Sequence, residues 1–409
     1  EAQLTTAVKA ASYRRSQARG SSILLLTIMA PFSRLLVAAL VLVAATGGAD
    51  AGGSGTIYGP AQYDRVFCFG DSLTDTGNSA ILPATAGGPF TNAPYAQTHF
   101  KRPSGRASDG RLVIDFIVDS LRLPQPTPYL AGSTASEFRQ GVNFAVGGAT
   151  ALDMAFLESK GITSFVPVFL TNQTTWFNRV LQILAASPNQ QRKIMARSLF
   201  YFGEIGFNDY SFALLNLKNK DTVGLAKSLV PHIVGVIRSA LIDAIAAGAR
   251  TMVVTGMIPI GCEPELLALL PSSRANYYDQ ASRCITPFNQ LAQLHNRELN
   301  RMLSQLRRAH PRTSIRYGDL YNPIVAIVSS PRKYGFGGMP LAACCGGGGG
   351  PYNFNFTFFC GTPLSTACAD PSRSVSWDGI HFTEAANMFV ARNMLRGGLE
   401  ASQPIQISK

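Results

Sequence analysis

The chain has 409 residues, 46% of them apolar and 15% charged, with a formal charge of +12. That composition excludes collagenous and intrinsically disordered chains and leaves room for one large domain or two smaller ones. The positive balance suits an acidic surface such as pectin or anionic lipid. No dense Lys/Arg run and no zinc-finger or RNA-binding signature accompanies it, which argues against a nucleic-acid partner.

Residues 1–51 carry Lys9, Arg14, Arg15, Arg19 and Arg34 against only Glu1 and Asp50. Met29 opens "MAPFSRLLVAALVLVAATGGADA", in which Arg34 precedes an apolar run over 35–45 and Ala49-Asp50-Ala51 follows. This is the pattern of a secretory signal, with cleavage expected after Ala51. The run is shorter than the roughly 20 residues that a membrane span needs, so no stable membrane span is expected. Residues 1–28 then read as a non-native upstream extension, 29–51 as the signal peptide, 55–400 as a single domain and 401–409 as a tail. The expected destination is extracellular or the cell wall. A transit-peptide reading of the Arg- and Ser-bearing start keeps plastid or vacuole as alternatives.

Past Ala51, short apolar strands alternate with amphipathic helices. Residues 66–69 read as a buried strand stopped by Gly70, after which Ser72 stands between Asp71 and Asp75. "GVNFAVGGAT" (141–150) follows next, then a strand over 199–203 that leads into "EIGFNDY". Residues 221–247 read as a helix capped by Asp221 or Thr222, with apolar residues at 225, 229, 233, 236, 240 and 244, a possible kink at Pro231 and a stop at Gly248. A strand over 251–257, a helix over 286–309, a strand over 313–318 and a last helix capped by Thr383 complete the pattern. Strands apolar on both faces, alternating with helices, imply a mostly parallel sheet covered by helices. The glycines of "CCGGGGGPYNFN" (344–355) belong to a surface loop; no Lys-Ser/Thr follows them as phosphate binding would require.

Seven cysteines divide into two sets. Cys68 lies inside an apolar run and reads as a free, buried thiol. Cys262, Cys284, Cys344, Cys345, Cys360 and Cys368 lie in loop-like, Gly/Pro-rich surroundings and read as disulfides of an oxidising compartment. The neighbours Cys344 and Cys345 are not expected to pair with each other, and Cys262 with Cys284 is the favoured bridge. No CxxC or Cys/His spacing suggests zinc, and no metal or cofactor is expected. Asn172 and Asn355 begin Asn-x-Thr triplets compatible with glycosylation.

In an open parallel sheet, ligands bind beyond the carboxyl ends of the strands, which is where Ser72 falls. A serine hydroxyl needs a base to become nucleophilic. His232 and His295 fall within predicted helices, His310 ends one, and His99 has no informative context. His381 differs: it stands in "WDGIHFTEAAN", just before a helix start and three residues after Asp378. The helix's positive end is expected to keep it neutral, with Asp378 accepting from its other ring nitrogen. Donors for a developing oxyanion are offered by the Gly147 and Gly148 backbone and by the Asn208 amide. Asp71, Asp75, Asp115 and Asp209 are expected to hydrogen-bond local backbone, because their spacing matches no metal loop.

Gly70-Asp71-Ser72-Leu73, then Gly148, then Gly206-x-Asn208-Asp209, then Asp378-x-x-His381 occur in the order of the four blocks of the GDSL esterase/lipases of the SGNH hydrolase superfamily, and the chain resembles the secreted plant branch of that family. The resemblance covers nearly all of the mature chain, including "GRASDGRLVIDFI" (105–117), "IPIGCEP" (258–264) and "ACCGGGGGPYNFN" (343–355). It implies an α/β fold, a three-layer α/β/α flavodoxin-like arrangement with a mostly parallel central sheet, and no metal. It implies Ser72 as nucleophile, His381 as base, Asp378 as its partner, and the Ser72 N–H, Gly148 N–H and Asn208 amide as oxyanion donors. Phe207 fills a position where many plant members carry Gly, and is expected to narrow the acyl or alcohol pocket. The implied substrate is an acetyl or other short acyl ester of cell-wall polysaccharide or a specialised metabolite. Lipid or cutin hydrolysis, acyl transfer, and non-catalytic wall binding are the alternatives. A monomer is expected.

Overall fold

The apolar runs at 66–69, 199–202 and 252–254 form the middle of the sheet. In a computed structural model that describes residues 63–396, β1 (Arg65–Phe69), β4 (Ser198–Phe202), β5 (Thr251–Thr255) and β6 (Ser314–Gly318) join two shorter strands, β2 (Thr127–Pro128) and β3 (Gly141–Asn143). The expected signal, upstream extension and C-terminal tail lie outside the described residues. The strand order is β2-β3-β1-β4-β5-β6 and every pairing is parallel. Without the two-residue β2, the order is that of the flavodoxin-like sheet, whose switch point lies between its first and third strands. Here that point lies between β1 and β4, which run in register to their ends, Phe69 opposite Phe202.

Both faces of β1 are buried, as its lack of alternation requires. The Phe69 ring stacks on Phe202 at 4.5 Å between centroids, and Phe67 meets Phe200 at 5.4 Å and Phe177 at 5.7 Å. Each ring buried in this way contributes about 1.5–3 kcal/mol, so the strand that carries Ser72 is anchored more firmly than its five residues suggest.

The helices form two packed groups. One contains α2 (Leu170–Leu184), α3 (Phe207–Leu214), α4 (Thr222–Ala247) and α6 (Thr286–Ala309), with the short α5 (Pro264–Leu269) between the last two in the chain; the other contains α1 (Val113–Ser120), α7 (Tyr321–Ser329) and α8 (Glu384–Met394). Together with the sheet they give the expected three-layer α/β/α fold. Asp221 caps α4 by accepting from the Gly224 N–H (2.8 Å), and Gly248 ends it at φ 114°, a conformation that suits glycine. By length and composition α4 is apolar enough to cross a membrane, but Leu229, Ile233, Ile237 and Leu241 are buried in the protein core. The strand expected over 251–257 stops at Thr255. The Asn296 side chain then takes over the ladder, accepting from the Met257 N–H (2.7 Å) and donating to its carbonyl (3.0 Å).

A second, smaller cluster is built on cystines. β7 (Cys345–Gly346) pairs antiparallel with β8 (Thr366–Ala367), and disulfides join Cys344 to Cys368 and Cys345 to Cys360. Tyr95 and Trp377 pack against these cystines. Cys262–Cys284 is the third bridge and Cys68 is free and buried. In the glycine run, a Cβ on Gly348 would come within 2.4 Å of the Phe354 backbone; close packing explains that glycine.

Candidate active site

The turn after β1 is built around its two aspartates. Gly70 adopts φ 142°, and a Cβ there would lie 3.0 Å from the Glu204 carbonyl. The Gln173 side chain clamps Gly70 from the other side, accepting from its N–H (2.9 Å) and donating to its carbonyl (2.8 Å). The Asp71 carbonyl accepts from the Thr74 and Asp75 N–H groups, forming one helical turn that carries Ser72. The Asp75 carboxylate gathers four backbone donors, Gly77, Asn78, Ser79 and Gly147, at 2.6–2.9 Å. Asp75 thus has the local backbone role expected of it, and it also fastens the Gly147 loop to the Ser72 turn.

Ser72, His381 and Asp378 form one chain of hydrogen bonds. His381 Nε2 lies 2.8 Å from Ser72 Oγ, and His381 Nδ1 lies 2.7 Å from Asp378 Oδ2. Asp378 Oδ1 accepts from the Ile380 and His381 N–H groups (2.9 and 2.8 Å), which fixes the carboxylate against its own loop. An acceptor on the Nδ1 side assigns the proton there and leaves Nε2 to accept from the serine hydroxyl. All three side chains are buried.

Electrostatics agree with that tautomer. Burial alone would push the Asp378 carboxyl up, but the His381 charge and hydrogen bond, the Ile380 N–H and the Tyr95 hydroxyl outweigh it and hold the carboxyl below its ordinary value. Burial alone would lower the His381 pKa; the Asp378 charge and hydrogen bond outweigh burial, Asp71 and Glu265 add to them, and the imidazole sits above 6.5. The expectation that the adjoining helix end keeps His381 neutral is therefore corrected: its carboxylate neighbours favour the imidazolium more than the α8 N-terminus opposes it.

The two glycines of "AVGGA" separate. The Gly147 N–H is occupied by Asp75. The Gly148 and Ser72 N–H groups have no hydrogen-bond acceptor among the described residues. Gly148 has φ 81°, and a Cβ on it would meet Val166 at 2.6 Å. The Asn208 amide donates to the Ala149 carbonyl (2.9 Å) and to Asp71 Oδ2 (3.1 Å), which ties all three loops together. Phe207, expected to narrow the acyl or alcohol pocket, packs in the main apolar core with 5% of its surface exposed.

The remaining expected residues take other places. Asp209 accepts from the Ala151 and Leu152 N–H groups, and burial pushes it up to about 7. Asp115 accepts from the Leu112 N–H and also forms a two-pronged ion pair with Arg106. His295 is buried against the Tyr210 hydroxyl (2.9 Å), and burial lowers it to about 4. Asn355 is exposed; Asn172 is half-buried and its side-chain oxygen accepts from the Phe169 N–H.

Several residues of the site were not marked as site residues by the sequence, although Glu204 and Glu263 lie inside "EIGFNDY" and "IPIGCEP". The Tyr95 hydroxyl donates to Asp378 Oδ2 (2.7 Å), and the Phe90 ring meets the His381 imidazole edge to face at 5.3 Å. Glu263 and Glu265 are buried near the Asp378–His381 pair; burial pushes Glu265 up to about 8 and Glu263 well above the carboxylate range. Glu204, at the end of β4, is buried beside Asp71.

A serine paired through histidine to aspartate, at the switch point of a flavodoxin-like sheet and beside unoccupied backbone donors, is suited to acyl transfer. The GDSL-like lipase/acylhydrolase family matches residues 66–394 of the chain. A GDSL esterase/lipase of Arabidopsis thaliana is 42% identical over 339 residues, covering 82% of this chain and 85% of that protein. A second from the same plant is 41% identical over 337 residues, covering 82% and 84%. A sinapine esterase of Brassica napus is 40% identical over 339 residues, covering 82% and 86%. The chain belongs to the GDSL-like lipase/acylhydrolase family and is a serine ester hydrolase acting on carboxylic esters.

Proposed function

We propose that Ser72 is the nucleophile, His381 the general base and Asp378 its orienting partner, in a secreted hydrolase of acetyl or other short acyl esters. The observation that carries the assignment is the unbroken chain from Ser72 Oγ through His381 to Asp378 at 2.8 and 2.7 Å. Ser72 Oγ attacks the ester carbonyl while Nε2 takes its proton. The Ser72 N–H, the Gly148 N–H and the Asn208 amide donate to the oxyanion. The imidazolium, stabilised by Asp378, protonates the departing alkoxide and leaves an acyl-serine. Water, deprotonated by His381, then attacks the acyl carbon, and Ser72 leaves with the returned proton.

Secretion is supported by three disulfides, which persist in oxidising compartments, and by the signal pattern over 29–51. Exposed Asn355 is the better placed of the two candidate glycosylation sites, since the Asn172 side chain takes part in the first turn of α2. The substrate is an acetylated wall polysaccharide or an acylated metabolite; a relative named as a sinapine esterase favours the metabolite ester.

The test is hydrolysis of p-nitrophenyl acetate by the purified protein and by Ser72→Ala, with labelling by a serine-directed organophosphonate. Hydrolysis and labelling by the first, and neither by the second, are expected. A Ser72→Ala protein with wild-type kcat would overturn the assignment.

A further inference from the structure

Asn208 presents a difficulty that its own hydrogen bonds create. A primary amide has two N–H groups. One donates to the Ala149 carbonyl at 2.9 Å and the other to Asp71 Oδ2 at 3.1 Å. An oxyanion at Asn208 must therefore compete with Asp71 for the second hydrogen. A fully charged Asp71 would hold that hydrogen strongly and would also repel the developing negative charge, because charges interact strongly in a site this dry. Something must reduce the charge on Asp71.

Glu204 is placed to do so. It leaves the end of β4 and is buried, with 2% of its surface exposed. Its backbone carbonyl accepts from the Asp71 N–H (3.2 Å) and its Oε1 accepts from the Phe207 N–H (2.9 Å), one residue before Asn208. Its Oε2 is buried and has no donor, and of the neighbouring ionisable groups the Asp71 carboxyl acts on it most strongly. Two bare carboxylates cannot bond to each other; contact between them requires a proton on one. While His381 is neutral, the state in which it serves as base, the other ionisable groups around the pair supply no compensating cation. Asp209 and the Tyr210 hydroxyl approach Glu204 from α3, and His381 acts on Asp71. The void beside Glu204 measures about 10 Å³, room for about one water and not for solvation of a second charge.

We propose that Glu204 is a positioning residue of the reaction: its carboxyl proton is shared with Asp71, and this shared proton releases the second Asn208 amide hydrogen to the oxyanion. The inference rests on the Ser72 mechanism above and gives a role to a residue just ahead of the Gly206-x-Asn208-Asp209 block. Burial supports it, raising Asp71 to about 6 and Glu204 well above the carboxylate range, so that at neutral pH the pair keeps one proton, on Glu204. The device is a short relay: Glu204 fixes Phe207 through Oε1, donates its proton toward the Asp71 carboxylate through Oε2 and so draws charge away from the Asn208 amide, and thus acts on Asn208 twice.

The experiment compares wild type, Glu204→Gln and Glu204→Leu in the full chain, with kcat expressed per site titrated by an organophosphonate, so that misfolded protein is not counted. Glutamine can accept from the Phe207 N–H and donate to Asp71, so it should retain kcat within about threefold and lose any alkaline limb of the wild-type profile. Leucine leaves Asp71 charged and without its donor, and should lower kcat by about tenfold or more, since a full oxyanion donor is worth roughly 100-fold or more, while KM changes little. Equal kcat in all three overturns the proposal, as does a glutamine variant as impaired as leucine or one that keeps a wild-type alkaline limb unchanged. Ser72→Ala runs in parallel: activity surviving there means the underlying mechanism is wrong, whereas an inactive Ser72→Ala with equal Glu204 variants defeats this inference alone.

Discussion

Ser72 stands on the turn that leaves β1 and Asn208 in the first turn of α3, which follows the adjacent parallel strand β4, whereas Asp378 and His381 stand on irregular backbone between the cystine-linked segment and α8. On the first side, β1 and β4 are paired along their lengths and sealed by stacked phenylalanines. On the second, the loop is held by single bonds: Trp377 N–H to the His381 carbonyl (2.7 Å), Cys345 N–H to Trp377 (2.6 Å), Cys344 N–H to Ser376 (3.1 Å) and Glu265 N–H to Gly379 (2.9 Å). The Cys344–Cys368 and Cys345–Cys360 bridges stand where the first side has a sheet. A nucleophile and its oxyanion donors need a fixed mutual geometry, which strand register supplies. The base has only to reach one hydroxyl, and a stapled loop can place it.

The largest effects should come from the chemistry that both sides share. Ser72→Ala and His381→Ala are each expected to reduce kcat by about 10⁴-fold or more, with the Tm little changed. From the loop side alone, Asp378→Asn should cost about 10⁴-fold, because an amide that donates toward Nδ1 selects the wrong tautomer. From the sheet side alone, Asn208→Ala should cost about 100-fold or more in kcat by removing one oxyanion donor. Steady-state kinetics on p-nitrophenyl acetate checks all four. If Asn208→Ala proved as damaging as Asp378→Asn, the sheet side would be doing more than cradling the oxyanion.

A different kind of variant separates the two supports. Replacing Cys345 and Cys360 by serine opens a link with a sequence separation of 15 residues, which costs about 3 kcal/mol in a chain-entropy account. Amide exchange should then accelerate over 374–383, where the loop leans on the cystines, and stay unchanged over 65–75. Equal acceleration in both segments would mean that the two sides are not supported independently.

The same contrast decides what was legible in the sequence. β1, β4 and β5 are near-continuous apolar runs, β6 is a short β-branched and aromatic stretch after a helix, and α4 and α6 repeat their apolar residues at helical spacing, so their positions could be read directly. β3 has three residues and β2 two, too short for any period to show. The motif blocks mark residues that the structure brings together, Ser72, His381 and Asp378 above all. Their supports were not legible. Gln173 reaches Gly70 from 103 positions away and Tyr95 reaches Asp378 from 283, and no local pattern records a partner that distant. Gly147 and Gly148 are equivalent in sequence; only Asp75, 72 residues before Gly147, tells them apart. The six loop cysteines were identifiable as a set, but the partners of Cys344 and Cys345 depend on how the segment folds back through β7 and β8.

The smallest predicted effect tests the loop side most finely. Activity needs a neutral His381, so kcat/KM should rise with pH through the imidazole's titration, with a midpoint above the ordinary 6.5 because the Asp378 charge outweighs burial. Tyr95→Phe removes one of the donors to Asp378 Oδ2 and leaves the ring in place. The carboxylate then carries more uncompensated charge, which makes it less acidic and makes it hold the imidazolium proton harder. The acid limb should therefore move to higher pH, with a few-fold loss of kcat/KM below the midpoint and little change on the plateau. A limb displaced to lower pH would mean that Tyr95 acts on His381 mainly by excluding water. An unmoved limb would mean that the Ile380 and His381 N–H groups already satisfy Asp378 without it.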